Sequence, residues 1–331
     1  MSPSPLAIDF ADAELEASVR AGLDAVEAAL EQAVRSDDEF VAGAARHLVD
    51  AGGKRFRPLV CLLAAHLGDP TRAELVPAAV VVELTHLATL YHDDVMDEAS
   101  VRRGAETVNT RWGNTIAILT GDFLFSRASD VLADLGPHAV RLQARTFGRL
   151  VTGQIRETVG PRDGEDVIEH HLNVLADKTG SLIATSAEFG GYFAGLDEAT
   201  VERLRVFGEE IGVAFQLSDD ILDIASESTE SGKTPGTDLR EGIPTLPVFY
   251  ALRGTDPGDE RLRSLVSRPI EDDAEHAEAL ALLRSSEALV QARDTLVAYS
   301  ERARALLYEL PDVPARAALA TLCDIVIART G

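Results

Sequence analysis

The sequence predicts an all-α protein, and three observations carry that prediction. Apolar residues recur at intervals of three and four in long segments, no segment sustains two-residue alternation, and glycine and proline gather between the segments. The first periodic segment is 13–35, closed before Gly52-Gly53. After Asp69-Pro70, residues 71–98 place Val80, Leu84, Leu87 and Tyr91 on one helical stripe. Residues 114–135 and 138–159 follow, bounded by Gly136-Pro137 and Gly160-Pro161. Residues 198–224 form the next helix before a Gly/Pro-rich stretch at 232–247, and 287–309 the last long one. About ten to thirteen helices and no strand are expected in all. The acids Glu271, Asp272, Asp273 and Glu275 read as a solvated helix start, where negative charge favours the dipole.

Of the 331 residues, 46% are apolar and 26% charged, which fits a globular chain and excludes global disorder. Acids outnumber bases 55 to 31, a net charge of −24 that disfavours nonspecific nucleic-acid binding. Cys61 and Cys323 form neither a disulfide framework nor a short-spaced metal motif. The acidic N-terminal residues lack the basic-then-apolar pattern of a signal peptide, and the most apolar run, 76–82, ends at Glu83. A soluble, cytoplasmic protein without a transmembrane segment is expected. No linker-like stretch divides it, so residues 1–331 are read as a single domain.

Two segments repeat one unusual pattern, Asp93-Asp94-Val95-Met96-Asp97 and Asp219-Asp220-Ile221-Leu222-Asp223. Aspartates four apart share a helix face and repel. Here Leu90, Tyr91, Val95 and Met96 surround one set, and Phe215, Leu217, Ile221 and Leu222 the other. Carboxylates on a half-buried face need cations or raised pKa values. Hard oxygen ligands of this kind suit Mg²⁺, which usually bridges carboxylates to substrate phosphates. A single motif reads most simply as an acidic surface; two in apolar settings favour the metal.

Bases are scarce, and they gather near the first motif. Gly52-Gly53-Lys54-Arg55-Phe56-Arg57-Pro58 sets three cations beside a flexible glycine pair, suited to wrapping a diphosphate. Arg102-Arg103-Gly104 lies just past the first motif. A short basic cluster is commonly a solvated loop, but the grouping in so acidic a chain favours phosphate contacts. His86 is seven residues before Asp93, two turns along one face.

In order, GGKRFRP, HDDVMDEASVRRG, GDFLFSRA, DKTGSL, FQLSDDILDI and GKTPGTDLREGIPTLP resemble the trans-isoprenyl diphosphate synthase (polyprenyl synthetase) family, long-chain type. The resemblance runs from about Gly52 to Pro247. It implies an isoprenoid synthase-like helical barrel around a deep central cavity, usually a homodimer, with the two aspartate motifs facing each other across the mouth. It assigns metal ligation to Asp93, Asp97 and Asp219, with Asp94, Asp220 and Asp223 supporting. It assigns isopentenyl diphosphate to Lys54, Arg57, His86 and Arg103. The allylic diphosphate falls to Arg102, Lys178, Thr179, Gln216 and Lys233. Ile243 departs from the pattern, standing where the family often has a lysine.

The implied reaction is sequential, Mg²⁺-dependent head-to-tail condensation of isopentenyl diphosphate with an allylic diphosphate. Asp93, Asp97, Asp219, Lys178 and Arg102 carry catalysis by neutralising the departing diphosphate. A class I terpene cyclase is the less favoured alternative, because the second motif is DDILD and aromatics are only 5%. A non-catalytic partner subunit would be expected to lose aspartates or bases that this chain keeps. Product length is read from the turns before Asp93, where Ala88 lies about 7–8 Å and Thr85 about 12 Å below the motif. Short-chain members of the family carry a bulky floor four or five positions before it, where this chain has Thr89 and Ala88. A long linear product of about six to ten isoprene units is therefore expected, unless Leu119, Phe123 or Leu124 closes the tunnel or the small residues serve only close packing. A farnesyl or geranylgeranyl diphosphate synthase is the alternative. The reading leaves open a transient membrane contact during product release.

Overall fold

In the computed structural model of the chain, residues 10–226 and 235–330 are described; Lys233 lies outside them. The helices are α1 (Ala13–Ala33), α2 (Glu39–Asp50), α3 (Phe56–Ala65), α4 (Leu75–Met96), α5 (Val108–Trp112), α6 (Asn114–Leu135), α7 (Pro137–Val159) and α8 (Val167–Leu175). They continue as α9 (Ser181–Phe193), α10 (Glu198–Ala225), α11 (Thr237–Glu241), α12 (Leu246–Arg253), α13 (Glu260–Val266), α14 (Asp273–Arg284), α15 (Glu287–Leu307) and α16 (Pro314–Ala328). The six long periodic segments are all helices, with ends within a few residues of those expected. The higher count comes from short helices such as α5 and α11, which are too brief to show a period.

Two features were not anticipated. A two-stranded antiparallel ladder, β1 (Val101–Arg102) and β2 (Ala105–Glu106), corrects the expectation of no strand. Its turn is Arg103-Gly104, both with positive φ (54° and 76°), the backbone sense that matches a hairpin's twist. Two-residue strands are too short to display alternation. Between α8 and α9 the helix widens into a π turn, Ala176–Gly180, with the Ser181 N–H bonded back to the Ala176 carbonyl.

The chain groups into two compact units. The first comprises Met1–Gly148, Leu182–Gly208 and Glu309–Leu319. Its centre is α4, whose apolar residues are buried all round rather than along one stripe: Val80, Val81, Val82, Leu84, Leu87 and Tyr91 are all enclosed. The Tyr91 hydroxyl donates to the Ala44 carbonyl at 2.8 Å and accepts the Leu48 N–H at 3.2 Å, tying α2 to α4. Helices α4 and α6 pack closely. There a Cβ on Gly121 would strike the His92 ring and lie 3.0 Å from the Ala88 carbonyl. By length and composition α4 could cross a membrane, but 67% of its most apolar window is buried inside the protein. That is the condition of a core helix.

The second unit comprises Arg149–Ser181, Glu209–Tyr308 and Ala320–Gly331. Ile224, Leu239, Val248, Leu262, Leu265, Ile270 and Leu283 form its core. Asp272 caps α14, accepting the N–H groups of Ala274 and Glu275 at 2.9 Å each, so the acidic stretch at 271–275 is the helix start it was read as. Cys61 and Cys323 are both free and buried.

Candidate active site

In the first unit, chemistry concentrates at the C-terminal end of α4. Asp97 is the residue closing the helix, exposed, with its N–H on the Asp93 carbonyl at 2.8 Å. Asp93 is half-buried. Asp94, on the inner side, is 1% exposed and meets Arg102 of β1, whose Nε donates to its Oδ1 at 2.6 Å. Burial pushes the Asp94 carboxyl up from its ordinary range despite Arg102 pulling it back. The other oxygen, Oδ2, is buried with no hydrogen-bond partner. Asn109 fixes the end of the motif, its Nδ2 donating to the carbonyls of Asp94 at 3.1 Å and Ala99 at 3.0 Å.

The hairpin turn delivers Arg103 to the glycine pair. Its Nη1 donates to the carbonyls of Leu48, at 3.0 Å, and Gly52. A Cβ on Gly53 would lie 2.8–2.9 Å from the Arg103 guanidinium, which explains the glycine there. A non-glycine residue at positive φ is strained by about 1 kcal/mol. These contacts are what hold Arg103 in that conformation.

The basic run divides in two. Arg55 turns inward, also at positive φ (45°), and binds Glu27, Glu83 and the Val49 carbonyl. Burial lowers its pKa, but the two carboxylates more than offset this and hold it above the ordinary value. Arg55 is therefore a buried structural ion pair, which corrects the reading of three diphosphate-wrapping cations. Lys54 is exposed, and Arg57 is half-buried with Nε unpartnered. Burial takes Arg57 down to about 10, helped by Arg103 and opposed by Glu83, so it remains cationic at neutral pH.

His86, half-buried on α4, completes this group. Burial first, then the positive fields of Arg57, Arg103, Arg102 and Arg55, hold its pKa well below the ordinary value, so the imidazole is neutral at pH 7. Farther along α4, Ala88, Thr85 and Thr89 are buried. The Thr85 hydroxyl donates to the Val81 carbonyl and accepts from Gln143 at 2.6 Å, while Thr89 donates to the His86 carbonyl at 2.8 Å. On α6, Leu124 is buried, Phe123 half-buried and Leu119 exposed.

Among the described residues, the second unit gathers the remaining assigned ones around the π turn and the end of α10. Lys178 Nζ donates to Glu157 Oε2 at 2.6 Å. Thr179 Oγ1 donates to Gln216 Oε1 at 3.4 Å, and Gln216 Nε2 to Asp220 Oδ1 at 3.0 Å, a chain from the turn to the second motif. Asp220 also stands 3.8 Å from His171 Nε2. Asp223 accepts the N–H groups of Thr237 and Asp238 at 3.3 Å each, holding the start of α11. Ile243 lies exposed after that helix. Asp219 is paired with Arg329 from the C-terminal end.

Several residues here escaped sequence reasoning. Arg149 bridges Asp177, Nε to Oδ1 at 2.9 Å, and Glu209, through Nη1 and Nη2 at 3.0 and 3.2 Å, bracing the π turn from both sides. Gly153 of α7 lies so close that a Cβ would be 2.8 Å from the Lys178 backbone nitrogen. Asp177 sits in the DKTG string, but nothing local marked Arg149, Glu157, His171, Glu209 or Arg329.

Each motif by itself offers carboxylate oxygens that fit a hard divalent cation, and in the first one of them, at Asp94, is buried and unsatisfied. Among the described residues no three His, Cys, Asp or Glu side chains form a complete cage.

Residues 38–283 match the family described as polyprenyl synthetase. The chain is 52% identical over 325 residues to nonaprenyl diphosphate synthase of Mycobacterium tuberculosis, covering 98% of this chain and 97% of that one. It is 33% identical over 320 residues to octaprenyl diphosphate synthase of Escherichia coli, covering 96% and 97%. Its fold superposes with a TM-score of 0.88, at 45% identity and covering 98% and 100%, on geranylgeranyl pyrophosphate synthase from Corynebacterium glutamicum complexed with calcium and isoprenyl diphosphate.

Proposed function

Since the chain belongs to the polyprenyl synthetase family, we propose that it condenses isopentenyl diphosphate head-to-tail with an allylic diphosphate, repeatedly, to a long linear trans-polyprenyl diphosphate. The observation that carries this reading is the gathering of Arg57, His86, Arg102 and Arg103 at the end of α4 that bears Asp93 and Asp97. Three guanidiniums and a neutral imidazole gathered beside carboxylates supply the donors that a metal-bound diphosphate requires.

Asp93, Asp97 and Asp219 are the proposed metal ligands, with Asp94, Asp220 and Asp223 shaping the two motifs, and Mg²⁺ is the proposed ion. When bound, the ion supplies Lewis-acid neutralisation of the diphosphate, an otherwise poor leaving group. Arg102 and Lys178 add fixed positive charge where negative charge grows as the carbon–oxygen bond breaks. Thr179 and Gln216 orient the allylic diphosphate through the chain that ends on Asp220. Lys54, Arg57 and Arg103 hold the diphosphate of isopentenyl diphosphate, and neutral His86 donates a ring N–H to it. The homoallylic double bond attacks the allylic cation, and the departed diphosphate accepts the proton that restores an alkene.

The length of the product is read from the wall before Asp93. Relatives with long and with short products are both similar to this chain, so overall identity does not decide the matter. Ala88 and Thr89 offer no bulky floor one turn below Asp93, which favours the long product. We also propose a homodimer. The exposed stripe Val140, Ala144, Gly148, Val151, Ile155 and Val159 runs along α7, apolar and uncharged, and suits an isologous contact.

The test is incubation of the purified chain with isopentenyl and farnesyl diphosphates. Linear products longer than four units that vanish with EDTA and return with Mg²⁺ are expected. A cyclic hydrocarbon, no product, or activity indifferent to chelation would overturn the reading.

A further inference from the structure

Arg329 stands one residue past the end of α16, far from every motif in the sequence, yet its Nη2 donates to Asp219 Oδ1. The same guanidinium lies 5.0 Å from the centroid of the Phe215 ring, one turn before Asp219 on α10. Its Nη1 is buried and without a hydrogen-bond partner. Arg329 is 21% and Asp219 38% exposed at the side chain, so the carboxylate remains accessible while the cation is mostly covered. The backbone beneath is fixed: the Arg329 N–H bonds to the Ile325 carbonyl at 3.1 Å, and the carbonyl of buried Thr330 accepts from Arg293 Nη2 at 2.8 Å. The chain end is thus anchored on α15, with one cation projected onto the first aspartate of the second motif.

We propose that Arg329 is a positioning residue that holds Asp219 in the substrate-free enzyme as a cationic stand-in for the divalent metal, and yields the carboxylate when the metal arrives. The inference rests on the reading of Asp219 as a metal ligand. Asp219 and Asp223 share a helix face within one turn, and Asp220 is adjacent, so the motif carries self-repulsion that a cation must relieve. Arg329 relieves it without metal, and the ring supports a guanidinium that lacks a second hydrogen-bonded anchor. A metal ion competes for the same oxygen, and the pair therefore sets the affinity of the empty motif.

The experiment is calorimetric titration of Mn²⁺ alone into the full-length, substrate-free protein. Arg329→Gln is expected to bind Mn²⁺ about three- to fivefold more tightly than the wild type, the upper range for losing one partly exposed ion pair. Phe215→Leu, which weakens the seat of the guanidinium and leaves both charges in place, is expected to give about a twofold gain. In an Asp219→Asn background, Arg329→Gln should change nothing further, because the competitor has lost its target. Unchanged or weaker binding in Arg329→Gln overturns the proposal, as does a gain that persists with Asp219→Asn, the mark of a long-range charge effect. Should Arg329→Gln fail to fold by circular dichroism, unchanged binding by Phe215→Leu overturns it instead. Wild-type binding that Asp219→Asn abolishes keeps the ligand reading even if the stand-in fails. No Mn²⁺ binding by any form removes both.

Discussion

Arg55 and Arg57 are two positions apart, and their surroundings give them opposite work. Arg55 saturates Glu83, a carboxylate only 2% exposed, together with Glu27. Arg55→Met strips buried Glu83 of its hydrogen-bonded guanidinium, and breaking such a buried pair typically costs about 3–5 kcal/mol. A large fall in the denaturant midpoint is expected, whereas Lys54→Ala leaves stability unchanged. Arg57→Ala should instead raise the Michaelis constant for isopentenyl diphosphate about tenfold to a hundredfold, the loss of one charge-assisted contact. Steady-state kinetics with each substrate varied in turn checks the division; equal effects on both Michaelis constants would refute it. His86 gives a pH signature at the same scale. Its folded pKa is depressed, so its contribution to stability is complete above the ordinary histidine pKa and is lost as pH falls toward the folded value. From about pH 6.5 downward, the wild type should lose stability relative to His86→Gln by at most about 1.4 kcal/mol per pH unit. Parallel melting curves of the two proteins from pH 7.5 to 5 would contradict this.

At the scale of elements, glycines set how closely helices approach the reactive turns. Gly153→Ala would drive a methyl against the Lys178 backbone nitrogen and the Asp177 Cβ, and the π turn must shift to admit it. The expected result is a weakened allylic site, seen as a several-fold loss in kcat or in allylic Michaelis constant, with isopentenyl diphosphate affected less. Ala88→Phe tests the wall of α4. If the side chain adjoins the tail, products shorten while the first condensation persists. If Ala88 serves only the tight α4–α6 contact, overpacking lowers stability by about 1–3 kcal/mol and product length holds. The long amphipathic α-helices were legible in the sequence because each buries a periodic face, and α4, buried all round, was legible from its length and its helical spacing of large apolar residues. The π turn was not, because its extra residue is held by Arg149 reaching Asp177 and Glu209, partners 28 and 60 positions away. The inward turn of Arg55 was likewise hidden, since its neighbours Lys54 and Arg57 share its charge, and only the distant Glu27 and Glu83 separate their fates. The aspartate motifs and the bases around them were legible as chemistry, whereas Arg329 was invisible for want of any local pattern.

At the scale of the whole molecule, the net charge of −24 opposes self-association, and any dimer must overcome it. The exposed stripe on α7 is where repulsion is weakest. Ile155 and Val159 are among the most exposed apolar residues of the chain, and Arg141 and Arg145, exposed on the same helix, dilute the acidic field locally. Apolar contact is insensitive to dilute salt, while repulsion between two acidic copies is screened as the Debye length falls from about 30 Å at 0.01 M to about 8 Å at 0.15 M. Dimerisation through this stripe should therefore tighten as salt rises across that range. An interface built from charge pairs would loosen instead. A two-fold contact meets itself, so one substitution acts twice. Ile155→Asp places two like charges in the buried seam, at a cost of several kcal/mol, and should leave a folded monomer by sedimentation equilibrium. A dimer that survives Ile155→Asp, or one that weakens with salt, would place the interface elsewhere on the molecule.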